Sequence, residues 1–215
     1  MYNGFVNRSF LIGLVVMVGL FFVWLIFSRG EDDIKNYPSA NSGVIVFGDS
    51  LAEGVGSTLG NDLFSVLSRK IGEPIKNYGV AGDTTRMALE RLPAVLEDTP
   101  NPKVAIILLG GNDFLRKIPR EETFANLATI IETFQESGSV VLLLGVRGGV
   151  IKDNFDKEFE SLRDRYKTAY VSDIVGSLVF FGREYMFDSV HPNDAGYAKI
   201  AERVYPELKK ITRGD

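Results

Sequence analysis

The sequence predicts an α/β protein, a three-layer α/β/α sandwich around a parallel sheet. Two observations carry this. Short, near-continuous Val/Ile/Leu runs occur at "VIVFG" (44–48), "VAIILLGG" (104–111) and "VVLLLGV" (140–146), as expected of strands buried on both faces. Segments of helical period lie between them, and such alternation packs helices on both sides of one sheet.

In chain order, strand 44–48 is followed by a helix over Leu63–Ile71 and a weaker strand "PIKNYGV" (74–80). The next helix covers Thr84–Leu96, with Asp83 as its expected cap ahead of "TTRMALERL". Strand 104–111 leads to a helix over Glu121–Ser137, which Ser137-Gly138 closes. After strand 140–146 come a helix over Asp153–Lys167, a second weak strand "TAYVSDI" (168–174) and a last helix over Ala195–Ile211. No internal repeat or low-complexity tract interrupts this order.

The N-terminus is different material. Residues 10–27, "FLIGLVVMVGLFFVWLIF", form 18 uncharged residues. At about 1.5 Å per residue a helix of that length approaches the hydrocarbon thickness of a bilayer. A core helix is seldom apolar on every face, and no A-x-A-like cleavage site follows Phe27 closely. The expectation is an uncleaved single-pass anchor (1–28) with an extracytoplasmic domain; a cleaved signal, giving a secreted protein, is the alternative. Residues 29–42 read as a polar, turn-rich linker, and 43–215 as one domain.

Composition narrows the chemistry. A net charge of -4 and a pI of about 5.2 give no electrostatic footprint for nucleic acid. With no cysteine and one histidine, thiol nucleophiles are excluded and a dedicated transition-metal site is not expected.

Ligands of such sheets bind beyond the carboxyl ends of the strands. The loop after 44–48, "GDSLAEGVGS", presents Ser50. It is not a G-x-S-x-G elbow, because position 52 is Ala, and it lacks the G-K-[ST] ending of a phosphate loop. A serine hydroxyl needs a base, and His191 is the only side chain whose ordinary pKa suits that role near neutrality. Asp188, three residues earlier in "FDSVHPND", is within reach to orient the ring. Acyl transfer also needs donors for an oxyanion, and the Gly82 N–H in "GVAGDTT" and the Asn112 carboxamide in "GGND" stand on the same sheet edge. Each residue has a plainer reading: Ser50 as a cap, Asp188 as a turn residue beside a surface histidine, Gly82 and Asn112 as ordinary turn residues.

"FGDSLAEG", "GVAGDTT", "LGGNDFLR" and "DSVHPNDAGY" together resemble the four blocks of the GDSL esterase/lipase family, the SGNH hydrolases. The similarity is greatest to the bacterial arylesterase, acyl-CoA thioesterase I and lysophospholipase L1 branch, and it covers residues 43–211 in order. The resemblance implies a flavodoxin-like fold with a five-stranded parallel sheet. It implies Ser50 as nucleophile, His191 as base then acid, and Asp188 as its orienting partner. Gly82, Asn112 and the Ser50 N–H would form the oxyanion hole. The reaction would be ester or thioester hydrolysis through an acyl-serine intermediate, with no metal or organic cofactor.

For the substrate, the segment "SLVFFGREYMF" (177–187) and the loop "VRGGVIKDNF" offer apolar side chains, though most of the aromatics would pack into the core. Phe114, Arg147, Ile151 and Phe187 are the candidate substrate contacts. A carbohydrate O-acetyl esterase of the cell envelope and a non-catalytic lipid- or glycan-binding module are the alternative functions. Loss of a triad or oxyanion residue would mark the latter, and none is missing.

Overall fold

The computed structural model describes residues 17–18, 34–146 and 155–213. The chain divides into two units, Met1–Ile34 and Lys35–Asp215, and the second contains the whole sheet. Apart from Met17 and Val18, the expected span 10–27 lies outside the described residues, as do Arg147 and Ile151. Among the described residues no helix is long and apolar enough to cross a membrane.

Five parallel strands form one sheet in the order β2-β1-β3-β4-β5: β1 (Ser42–Gly48), β2 (Ile75–Gly79), β3 (Pro102–Leu108), β4 (Val140–Leu144) and β5 (Ala169–Val171). The central strands β1, β3 and β4 are buried on both faces, which is why their sequences are continuously apolar. β2 is an edge strand of sequence "IKNYG" that is half exposed, and β5 is a three-residue edge; this accounts for their weak sequence signal.

The helices are α1 (Ser50–Glu53), α2 (Leu63–Ile71), α3 (Thr85–Asp98), α4 (Gly111–Leu115), α5 (Arg120–Glu136), α6 (Phe155–Tyr166) and α7 (Asp194–Arg213), with a 3₁₀ segment at Gly176–Glu184. α2 packs with α7, while α3 packs with α5 and α5 with α6, giving the two outer layers. Asp62 starts α2 by accepting from the N–H groups of Phe64 and Ser65, and Gly72, at φ 75°, ends it. Fully buried Phe47, Phe64, Phe134, Phe159 and Tyr197 fill the interlayer space. Each such side chain contributes about 1.5–3 kcal/mol by leaving water.

Three local expectations need correction. Thr84, not Asp83, caps α3: its extended backbone (φ -87°, ψ 167°) aims the hydroxyl at the Met87 N–H, whereas Asp83 is engaged by Arg91. The strand expected over 104–111 stops at Leu108, because Gly110 at φ 110° turns the chain into α4. In 177–187, Leu178 and Met186 are buried but Phe181 and Phe187 are exposed. From Lys35 onward the expected linker is hydrogen-bonded to the domain: Asn36, Ser39 and Asn41 donate to carbonyls of the α5–β4 connection.

The chain leaves β1 toward β2 on one side and returns to β3 on the other. The switch point therefore opens between the ends of β1 and β3, where this topology places a ligand crevice.

Candidate active site

Ser50 sits at that switch point. A Cβ on Gly48 would stand 2.5 Å from the Ala52 Cβ and 2.6 Å from the Leu108 carbonyl oxygen, so only glycine lets β1 turn here. The Asp49 carboxylate then accepts the Leu51 N–H (3.0 Å) and starts the one-turn α1, whose first residue is Ser50. The serine is 9% exposed.

His191 arrives from the opposite end of the chain, between the 3₁₀ segment and α7. Its carbonyl accepts from the Phe187 N–H at 2.8 Å, and Met186 bridges Pro192, so the loop is a tight return. The Asp188 Oδ1 accepts the backbone N–H groups of Val190 and His191, both at 2.7 Å, while its Oδ2 lies 2.8 Å from His191 Nδ1. A carboxylate only accepts, so Nδ1 carries the proton and Nε2 is left as the acceptor. Nε2 is 2.9 Å from Ser50 Oγ. Partial burial pushes the Asp188 carboxyl up, but the bonds from the imidazole and the two backbone amides outweigh it and hold the pKa at about 2. The carboxylate thus stays charged across the working range of a histidine base.

The two segments are locked together. Gly56, at φ 93°, has no room for a side chain: a Cβ there would be 2.4 Å from the Pro192 carbonyl oxygen and 3.3 Å from the His191 Cβ. The buried Tyr197 hydroxyl donates to the Val55 carbonyl (2.7 Å). Asp194 accepts from the Thr58 N–H and hydroxyl at 2.7 and 2.6 Å.

Gly82 and Asn112 stand beside the Ser50 loop: the Val80 N–H that opens the Gly82 turn donates to the Gly48 carbonyl (3.0 Å), and Asn112 faces Asp49. Gly82 is the third residue of a turn closed by the Asp83 N–H on the Val80 carbonyl (3.1 Å), and its φ of 85° is the left-handed value a type II turn demands. The N–H groups of Ser50 and Gly82 have no hydrogen-bond partner among the described residues. Asn112, in the first turn of α4, donates to the Asp83 carbonyl at 2.9 Å. Its second Nδ2 proton faces only Asp49 Oδ2 at 3.4 Å, too far to hold it firmly, so it remains available to a substrate oxygen. Asp113, fully buried, accepts from the Thr85 N–H (2.9 Å) and hydroxyl (2.5 Å) and so joins the Asn112 turn to the Gly82 turn. Burial pushes the Asp49 carboxyl up to about 7, against the opposing bond from Leu51.

Of the candidate substrate contacts, Phe114 is 38% and Phe187 66% exposed. Phe114 is two residues after Asn112 and Phe187 directly precedes Asp188, and Phe114 meets Phe155 edge-on at 5.5 Å. Among the described residues no group of three or more His, Cys, Asp or Glu side chains is arranged to hold a metal ion. Sequence reasoning did not single out Asp49, Asp113, Asp194 or Tyr197. Asp194 stands inside the quoted "HPND", but nothing in the sequence names Thr58 as its partner.

The model of the GDSL-like lipase/acylhydrolase family matches residues 46–199. The chain is 28% identical to "Esterase TesA" of Pseudomonas aeruginosa over 78% of this chain and 88% of the relative. It is 26% identical to "Thioesterase 1/protease 1/lysophospholipase L1" of Escherichia coli over 80% of this chain and 86% of that protein. A crystal structure of TesA superposes with a TM-score of 0.72 at 27% identity, covering 79% of this chain and 99% of the other.

Proposed function

The chain belongs to the GDSL-like lipase/acylhydrolase family and is an ester-bond hydrolase, and on that premise we propose that it cleaves acyl esters and thioesters through an acyl-serine intermediate formed on Ser50. The observation that carries this reading is the chain Ser50 Oγ–His191 Nε2–Asp188, with links of 2.9 and 2.8 Å. Ser50 Oγ attacks the acyl carbon as Nε2 takes its proton. The oxyanion is received by the Ser50 and Gly82 N–H groups and the Asn112 Nδ2 proton that otherwise faces Asp49 at 3.4 Å. Collapse expels the alcohol or thiol, protonated by His191, and a water activated by the same ring frees the acid.

Val80, Met87, Phe114, Leu115, Phe187 and Val190 are exposed apolar side chains on the turns and helical segments adjoining the site, and this rim favours an acyl chain over a sugar. A thioester substrate is supported by the likeness to a relative named as a thioesterase and lysophospholipase. Residues 10–27 would anchor the chain in a membrane with the domain on its outer side; recovery of a mature protein beginning beyond Phe27 would replace the anchor with a cleaved signal.

The test is hydrolysis of p-nitrophenyl acyl esters and acyl-CoA by the wild-type protein against Ser50→Ala and His191→Ala. Both variants should be inactive. Turnover near wild type in either would remove the acyl-serine mechanism.

A further inference from the structure

The Gly82 N–H belongs to the middle peptide of the Val80–Asp83 turn, and the two peptides flanking it are each held by a charged side chain from another segment of the chain. On one side the Ala81 N–H donates to Glu53 Oε2 at 2.5 Å. On the other the Gly82 carbonyl accepts from Arg116 Nη2 at 2.7 Å. Glu53 is the last residue of α1, the turn of helix that begins at Ser50, and Arg116 follows α4, the turn of helix that presents Asn112. The geometry points to Glu53 and Arg116 as a pair of positioning residues that fix the orientation of the Gly82 amide for the oxyanion.

The physical need is specific. A turn with glycine in its third position can rotate its middle peptide at little steric cost, since glycine accepts both signs of φ. Rotation would swing the Gly82 N–H away and present the Ala81 carbonyl oxygen, an acceptor, to the oxyanion. Holding the neighbouring peptides at both ends opposes that rotation without occupying the N–H itself. Charge-assisted bonds suit the task, being stronger than neutral ones. Arg116 has no carboxylate partner among the described residues, so its charge is spent on the Gly82 carbonyl and on the Met87 sulfur at 3.8 Å. The clamp also ties the three oxyanion donors into one unit: α1 and α4 each grip the turn that carries the third.

This inference rests on the reading of Gly82 as an oxyanion donor, and the test separates the two. Steady-state kinetics on a p-nitrophenyl ester are measured for the full chain and for Glu53→Ala, Glu53→Gln, Arg116→Met, Arg116→Lys and Ser50→Ala, each with a thermal melt. Both side chains are exposed, so their loss leaves the core intact. Glu53→Ala and Arg116→Met should each lower kcat about tenfold with KM nearly unchanged and Tm unshifted, the pattern of a lost transition-state interaction. Glu53→Gln, which keeps an acceptor oxygen, and Arg116→Lys, which keeps a cationic donor, should recover most of the rate. The double variant Glu53→Ala/Arg116→Met should fall short of the product of the single losses, because both act on one turn. Wild-type kcat in Glu53→Ala and Arg116→Met, or a change confined to KM, overturns the clamp while Ser50→Ala remains inactive. An active Ser50→Ala would instead sink the mechanism on which the clamp depends.

Discussion

Asp194 holds Thr58 by both its backbone N–H and its hydroxyl, at 2.7 and 2.6 Å across 136 residues of sequence. Thr58 lies in the loop that leaves the Ser50 turn, and Asp194 begins the helix that follows His191. The pair therefore joins the two ends of the chain that must meet for the serine and the imidazole to touch. Hydrogen bonding to Thr58 holds the Asp194 carboxyl below its ordinary pKa, consistent with a carboxylate used as a double acceptor.

Asp194→Ala should lower kcat several-fold and reduce Tm, with a larger effect on kcat than on KM, since it loosens the His191 loop without touching substrate. Asp194→Asn, which keeps one acceptor, should lie between. Steady-state kinetics and thermal melts check this; an Ala variant with wild-type kcat would show that Gly56 and Tyr197 hold the loops together unaided.

Asn112→Ala removes the only side-chain donor of the three assembled around Ser50. A single oxyanion donor is worth about 10²–10³ in kcat. The same change also frees the Asp83 carbonyl, which lies outside the reacting atoms, so KM should move little. A loss seen mainly in KM would make Asn112 a binding residue instead.

The order of strands and helices was legible because the central strands are apolar on both faces and the helices between them keep a helical period, with side-chain caps at α1, α2 and α3. Helix Leu63–Ile71 matches residue for residue. Edge strands β2 and β5 gave weak signals because each is partly solvated. The loops that carry Ser50, Gly82, Asn112 and His191 were legible by a different route: four sequence blocks, three of them at the carboxyl ends of strands and the fourth just before the last helix. The residues that hold those loops were not. Glu53, Arg116, Asp113, Thr58 and Asp194 act through contacts between distant turns, and charged or hydroxyl residues in turns have no periodicity to betray a partner. The Asp83 cap failed for a related reason: Asp and Thr are both good caps, and only the Arg91 guanidinium, at 2.6 Å, decides which of the two is free.

Asp113→Ala should destabilise the fold as well as the site. Its carboxylate is fully buried and satisfies the Thr85 N–H and hydroxyl, with Thr123 nearby at 3.3 Å. Each buried donor left unpaired costs about 1–3 kcal/mol. Denaturant unfolding should show a lowered midpoint at unchanged slope, and Asp113→Asn a smaller drop. An unchanged midpoint would mean that water or a side-chain shift takes over the acceptor role.

Asp49 makes the stability of this protein depend on pH in the direction opposite to a paired surface carboxylate. Burial raises its folded pKa from 3.8 to about 7. Between those values the folded state keeps a proton that the unfolded chain has released, so unfolding is progressively favoured as pH rises. The stability change is on the order of a few kcal/mol, is complete above about pH 7 and is absent below the unfolded pKa. Asp188 behaves the other way: its folded pKa near 2 means that its contribution is present above the unfolded value and is lost as pH falls through about 2. The two windows do not overlap, so they can be read separately. Asp49→Asn keeps an oxygen for the Leu51 N–H but cannot ionise. The difference in unfolding free energy between Asp49→Asn and wild type, measured by denaturant titration, should therefore grow in favour of the variant from pH 4.5 to pH 8. Titrating groups that do not interact with Asp49 cancel in that difference. Parallel curves across the range would show that Asp49 is already ionised in the fold, with a partner that offsets its burial.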